Sequence, residues 1–359
     1  MPLRKALAFL LVFVVPVLMP ASAWLAGATG HADFAAWFPL FFLFVLLPAL
    51  DYALGRDPDN VPVADEARVA GAAWFKALTL ACLPAQLAVL AWSAHWFVHA
   101  DLGPAGIAGW LLSQGVVGGI IAINPAHELI HKNGRLEPAV GGLLLATVGY
   151  HGFKVEHLRG HHVHVSTPED PSSAPLGMSS WRFVPRALLL NSWNAWRLEA
   201  DRLRCRGLPV LHWRNEMIGW SLAWLALAGA FGAWLGQPGL AFFLAQGLIA
   251  AGSLEVINYV EHYGLARRRL PDGRYERTTH LHSWNSDYAL SNWLLFQLQR
   301  HSDHHAFPKR RYPILRHHPD SPQLSGGYAA MFVLALLPPL WRRVMDPRAR
   351  AFLQSPRAA

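Results

Sequence analysis

Residues 103–131 read GPAGIAGWLLSQGVVGGIIAINPAHELIH, a run with no charged residue before Glu128 and with histidines at 127 and 131. Its apolar part, about 103–124, matches the roughly 20 residues a helix needs to cross the hydrocarbon core of a bilayer. Positions 127 and 131 are four apart, so a helical continuation sets both imidazoles on one face. A membrane-spanning helix thus delivers a pair of metal-ligand side chains at its end.

Working outward, the pattern recurs. Glu156-His157-Leu-Arg-Gly-His161-His162, Glu261-His262-Tyr-Gly and His301-Ser-Asp-His304-His305 complete four tight clusters holding nine histidines. Neutral imidazole suits iron, copper, zinc or nickel, whereas oxygen-rich sites suit magnesium or calcium. Nine ligands are enough for two metal ions. Taken alone, residues 127–131 also match the H-E-x-x-H of zinc proteases. That chemistry needs one zinc and one further ligand, which leaves most of the clustered histidines without a role. His31, His95, His99, His212, His317 and His318 stand apart and read as ordinary polar residues. His151, His164, His280 and His282 lie near the clusters and stay open.

The rest of the chain reads as membrane protein. Of 359 residues 53% are apolar and 15% charged, against roughly 25% charged in a soluble domain. Six apolar stretches, about 6–27, 34–54, 73–95, 103–124, 216–235 and 239–259, are each near spanning length. The start imitates a secretory signal peptide, but apolar character continues past Ala21-Ser22-Ala23 and the first stretch is read as a retained helix. Loops 28–33, 96–102 and 236–238 carry no Lys or Arg, while Lys154, Arg159, Arg182, Arg186, Arg197, Arg202, Arg204, Arg206 and Arg214 lie between the fourth and fifth spans. The positive-inside rule then sets the N-terminus and all four clusters on the cytoplasmic side of a bacterial-type inner membrane. The fold class expected is therefore an all-α integral membrane protein of about six transmembrane helices with a cytoplasmic histidine-rich site. Residues 1–345 read as one domain and 346–359 as a short polar tail.

The formal charge of +8 fits basic loops against anionic headgroups better than a nucleic-acid partner. Cys82 and Cys205 imply no disulfide framework, and no C-x-x-C pair is present for an iron–sulfur site. Runs 139–150 and 328–341, the second broken by Pro338-Pro339, are too short to span and are read as buried or re-entrant helices. Residues 167–175 are turn-rich, and 270–277 carry the Asp272-Gly273 signal of a hairpin or loop.

The strings HELIHK, EHLRGHH, NYVEHYGL and LQRHSDHH, with TPEDP, GRYER, HSWNS and LDYALGRDPDN, resemble those of the integral-membrane alkane 1-monooxygenases, within the wider membrane desaturase–hydroxylase group. The likeness covers about residues 40 to 348. It implies that His127, His131, His157, His161, His162, His262, His301, His304 and His305 ligate two iron ions. Glu128, Glu156, Asp170, Glu261 and Asp303 then orient the imidazoles from behind. It implies O2-dependent hydroxylation of a terminal methyl group, with two electrons from a separate rubredoxin or ferredoxin and its NAD(P)H-dependent reductase. His164 stands where related sequences often lack a histidine. An aromatic-methyl hydroxylase or fatty-acyl desaturase on the same scaffold is the alternative enzyme. A metal transporter is the non-enzyme alternative, although its polar groups would be expected at mid-membrane.

Two further expectations concern partners. Leu40, Leu43, Leu47 and Asp51 recur at helical spacing and are read as a substrate-channel stripe on the second span. Arg159, Lys309, Arg310 and Arg311 adjoin histidine clusters and are read as the face that meets an acidic electron donor.

Overall fold

The computed structural model describes residues 1–355, and among them no β-strand forms beyond three isolated bridges. Five helices are long and apolar enough to cross a membrane: Leu3–Thr29, Ala32–Leu54, Ala73–His99, Pro104–Ile130 and Glu216–His262. Their ends follow local chemistry. Gly30, at φ 72°, stops the first helix by turning its N–H back to the Ala26 carbonyl. Pro104 opens the fourth at a position where no amide donor is needed. Asn215 caps the last, its Oδ1 accepting from the amides of Met217 at 2.9 Å and Ile218 at 3.4 Å.

The two stretches expected at 216–235 and 239–259 lie within the 47-residue helix Glu216–His262, which is broken at Gly236 with φ 67° and ψ −161°. The break reverses the chain. Phe231 stacks on Phe243 with centroids 5.1 Å apart, whereas twelve residues of continuous helix would separate them by about 18 Å.

The helices surround one apolar core, with Phe9, Leu90, Trp110 and Phe242 at or near zero exposure. A second apolar cluster, built on Tyr259, Tyr263, Trp284, Tyr328 and Trp341, packs beneath the C-terminal segments. As expected, the short apolar runs do not span: helix Leu136–Thr147 packs against the long helices, and Tyr328–Ala335 is separated from Pro338–Leu353 at the proline pair. The 270–277 segment closes as a hairpin-like loop through the Leu270 amide and the Arg274 carbonyl, 2.7 Å apart. Helix Pro338–Leu353 runs through the boundary expected at residue 345, burying Met345 and Ala349. Of the expected tail, 356–359 lie outside the described residues.

Three π-turns, at Phe42–Leu46, Gly119–Ile123 and His157–His161, interrupt the helices. Such turns are rare and cluster at functional sites. Here all three face the same interior space.

Candidate metal centre

Four elements converge. The helix Pro104–Ile130 brings His127 on its last turn and His131 just beyond its end, and Glu216–His262 ends on His262. The short helix His301–Ala306 presents His301, His304 and His305 at i, i+3 and i+4. The π-turn His157–His161 supplies the rest. In a regular helix a residue at i+5 points well away from residue i. An i→i+5 turn brings it back over that residue, so His161 and His162 both reach the interior beside His157.

The nine clustered histidines form two adjacent groups. His127, His131, His157, His162 and His304 make one, and His161, His262, His301 and His305 the other, with ligand atoms in each within 4.8 Å of one another. In the first, Nε2 of His157 lies 3.0 Å from Nε2 of His131 and of His162, and His162 Nε2 lies 3.1 Å from His304 Nε2. In the second, His305 Nε2 lies 3.0 Å from His301 Nε2 and 3.2 Å from His161 Nε2. With metal–nitrogen bonds of about 2.1 Å, ligands at right angles lie about 3.0 Å apart and tetrahedral ones about 3.4 Å. Five ligands in one group exceed the four that tetrahedral zinc takes. Nε2 of His127 and of His262 is buried without a hydrogen-bond partner among the described residues, as a lone pair reserved for metal would be.

Protonation agrees. Burial, reinforced by the neighbouring imidazoles, pushes His157, His162, His301, His304 and His305 well below the ordinary histidine range. They are neutral at physiological pH, the form that binds metal.

The carboxylates divide. Asp170 Oδ2 accepts from His161 Nδ1 at 2.9 Å, and is itself fixed by Ser173 Oγ at 2.6 Å and, through Oδ1, the Ser172 amide at 3.0 Å. Glu261 Oε2 lies 3.2 Å from His301 Nε2, while Tyr328 Oη donates to Glu261 Oε1 at 2.9 Å. The other three do not touch the clusters as expected. Glu128 takes Lys132 at 2.9 Å and the Tyr312 amide at 3.3 Å. Asp303 takes Arg310 at 2.6 and 2.8 Å and the off-site His318 at 2.8 Å. Glu156 is buried with Oε1 unpartnered among the described residues. A carboxylate next to a ligand in sequence points a full helical step away from it, which is why adjacency misled.

His164, His280 and His282 lie outside both groups. His282 Nδ1 accepts from the Thr279 amide at 3.0 Å, and its carbonyl faces His262 Nδ1 at 3.4 Å. His280 pairs with Asp320 at 2.9 Å and stacks on His318 with centroids 4.4 Å apart. Parallel stacked rings do not aim their in-plane lone pairs at one point.

An apolar cavity of about 890 Å³, counted out to its mouth, ends on His127, His157 and His301. Leu43, Phe44 and Leu47 line it from the second helix; Leu40 does not, and is a partly buried side chain at the edge of the main core. The π-turn Phe42–Leu46 rotates the helix between them, which spacing alone cannot show. Asp51 does not reach the clusters. It is buried, accepts from the Ser291 hydroxyl, and accepts from the Ser291 amide at 2.9 Å, which fastens the cavity wall to the segment preceding the His301–His305 cluster.

Of the four basic residues, Arg159 pairs with Glu199 at 2.6 Å and Glu216 at 2.8 Å, Arg310 with Asp303, and Arg311 with Glu137 at 2.8 Å. Lys309 is exposed and makes no ion pair among the described residues. Lys132, Lys309, Arg310 and Arg311 rim an open basin that reaches His131.

The sequence profile of the fatty acid desaturase family matches residues 102–335. The chain is 53% identical to alkane 1-monooxygenase 1 of Pseudomonas aeruginosa over 97% of its own length and 92% of the relative's. It is 49% identical to alkane 1-monooxygenase 2 of Alcanivorax borkumensis over 94% and 88%. The hydroxylase component of a xylene/toluene monooxygenase from Pseudomonas putida is 30% identical over 66% and 63%.

Proposed function

The chain belongs to the alkane 1-monooxygenase family, and from that premise we propose that it converts a medium- or long-chain n-alkane to the 1-alkanol. O2 and two electrons are consumed. The observation that carries this reading is the apolar cavity ending on histidines of both groups. Alkanes favour the bilayer by about 0.8 kcal/mol per CH2, so a cavity walled by spanning helices draws on the concentrated phase.

Two iron ions, one in each histidine group, are the proposed cofactor, and when bound they supply the activation of O2 that no side chain can perform. The protein does the rest. Its nine histidines offer imidazole lone pairs. Asp170 accepts the Nδ1 proton of His161 and leaves Nε2 as the donor atom. Tyr328 holds Glu261 beside His301. Leu43, Phe44 and Leu47 exclude water and lay the chain along the cavity. The proposed electron source is a separate rubredoxin- or ferredoxin-type protein with its NAD(P)H-dependent reductase, meeting the basin beside His131. The proposed setting is the inner membrane, crossed six times, with the metal centre cytoplasmic. Residues 346–353 continue the last helix of the preceding domain.

The test is product analysis after whole cells expressing the chain are fed n-alkanes and xylenes. 1-Alkanols from the n-alkanes are expected. Methylbenzyl alcohols alone would overturn the alkane reading in favour of the chemistry named for the xylene/toluene relative.

A further inference from the structure

The cavity wall has polar side chains besides the histidines, and nearly all are engaged. Ser253 donates to the Ile249 carbonyl at 2.8 Å, Asn258 to Glu255 at 3.1 Å, Ser291 to Asp51, and Tyr328 to Glu261. Asn124 is the exception. It is 6% exposed, lines the apolar cavity, and its Nδ2 has no hydrogen-bond partner among the described residues. It also lines the small crevice shared with His127 and His304, so its amide stands between the cavity and the first histidine group. Position 124 is three residues before His127 on the same helix, which sets both side chains on one face.

A buried amide left unpaired is costly, and nothing in an alkane relieves it. An alcohol does. Its hydroxyl oxygen accepts from Nδ2 and its proton is available to Oδ1. We propose that Asn124 is a specificity-determining residue that holds the hydroxyl of the product at the reacting end of the cavity, and so distinguishes alcohol from alkane there. This rests on the hydroxylase reading above. It adds that the site holds the product's oxygen through a protein amide. The consequence is retention of the alcohol, and hence product inhibition that depends on this side chain.

The experiment compares wild-type holoenzyme with Asn124→Leu, a change of similar volume, using n-octane as substrate and 1-octanol as competitor. One lost neutral hydrogen bond corresponds to roughly a 3- to 10-fold weaker inhibition by 1-octanol, beyond any accompanying change in the KM for n-octane. Thermal unfolding is the second readout. An amide without a protein partner contributes nothing to remove, so the variant should melt at or above the wild-type temperature. Asn124→Ala serves in the same way should the leucine fail to fold. Unchanged 1-octanol inhibition, an equal shift for octane and octanol, or a marked fall in melting temperature would each overturn the proposal. Failure of the wild type to make 1-octanol from n-octane would instead sink the hydroxylase reading and this inference with it.

Discussion

Nε2 of His162 lies 3.0 Å from Nε2 of His157, although they stand five positions apart in the chain. That distance exists because the intervening turn is π rather than α. It also divides the HLRGHH string: His157 and His162 face one histidine group while His161, between them, faces the other. One short motif therefore holds both histidine groups in register.

Elemental analysis of the purified protein should return two irons per chain, one for each group. His304→Ala and His262→Ala should each lower the iron content toward one, from opposite groups, with membrane insertion intact because both lie at or beyond the ends of spanning helices. About one zinc and no iron would contradict the reading of both groups as iron sites.

Much of this was legible in the sequence, for identifiable reasons. Helix positions follow from apolar run length, so the stretches beginning near 34, 73 and 103 reappear as Ala32–Leu54, Ala73–His99 and Pro104–Ile130. The clustered histidines came to light because metal chemistry demands several ligands at helical spacing. What failed was side-chain direction. Leu40 stands at helical spacing from Leu43, yet it does not line the cavity that Leu43 lines. Asp303 adjoins His304 in sequence, yet binds Arg310 and His318. Asn124, without a repeat or motif of its own, carried no signal until the cavity around it was visible.

The contrast between two aspartates gives a second prediction. Asp170 touches His161 directly, whereas Asp303 clamps Arg310. Asp170→Asn should weaken iron retention against a chelator by roughly 10- to 100-fold, the usual effect of losing a carboxylate behind a metal-binding imidazole. Asp303→Asn should change retention far less and lower thermal stability instead. Equal iron loss in the two variants would show that Asp170 has no particular hold on His161.

Three of the four arginines and lysines expected to meet an electron donor are already paired, which leaves Lys309 as the free charge on the basin leading to His131. Lys309→Glu should therefore reduce donor kcat/KM several-fold at low salt. The gap should narrow above about 0.1 M, where screening sets in over roughly 10 Å. Turnover that is flat with ionic strength in both proteins, at sub-saturating donor, would place docking elsewhere.

Glu199 fixes the outer side of the π-turn through Arg159. Burial alone would raise its pKa, but Arg202 at 2.5 and 2.7 Å, the Glu216 amide at 2.7 Å and Arg159 outweigh it and hold the carboxyl at about 2. A carboxyl depressed in the folded state stabilises above its unfolded value near 4.3 and loses that contribution as pH falls toward 2. Glu199→Gln should melt several degrees below wild type at pH 7, and the difference should shrink steadily below about pH 4. A constant difference across that range would mean the network acts through packing rather than charge.

Leu43 and Leu40 give the most direct test of where the substrate lies. Both belong to the second helix, but only Leu43 lines the cavity, next to Phe44, whose ring stacks on Phe332 at 4.8 Å. A tryptophan at 43 adds bulk inside an apolar space that a long chain must fill, while the end at His127, His157 and His301 is untouched. Leu43→Trp should therefore lower activity on long n-alkanes and spare shorter ones. Leu40→Trp crowds a partly buried site at the edge of the core. It should reduce yield or stability while leaving the chain-length profile of the folded enzyme as it was. A profile shifted by Leu40→Trp and not by Leu43→Trp would move the channel to the other side of the helix.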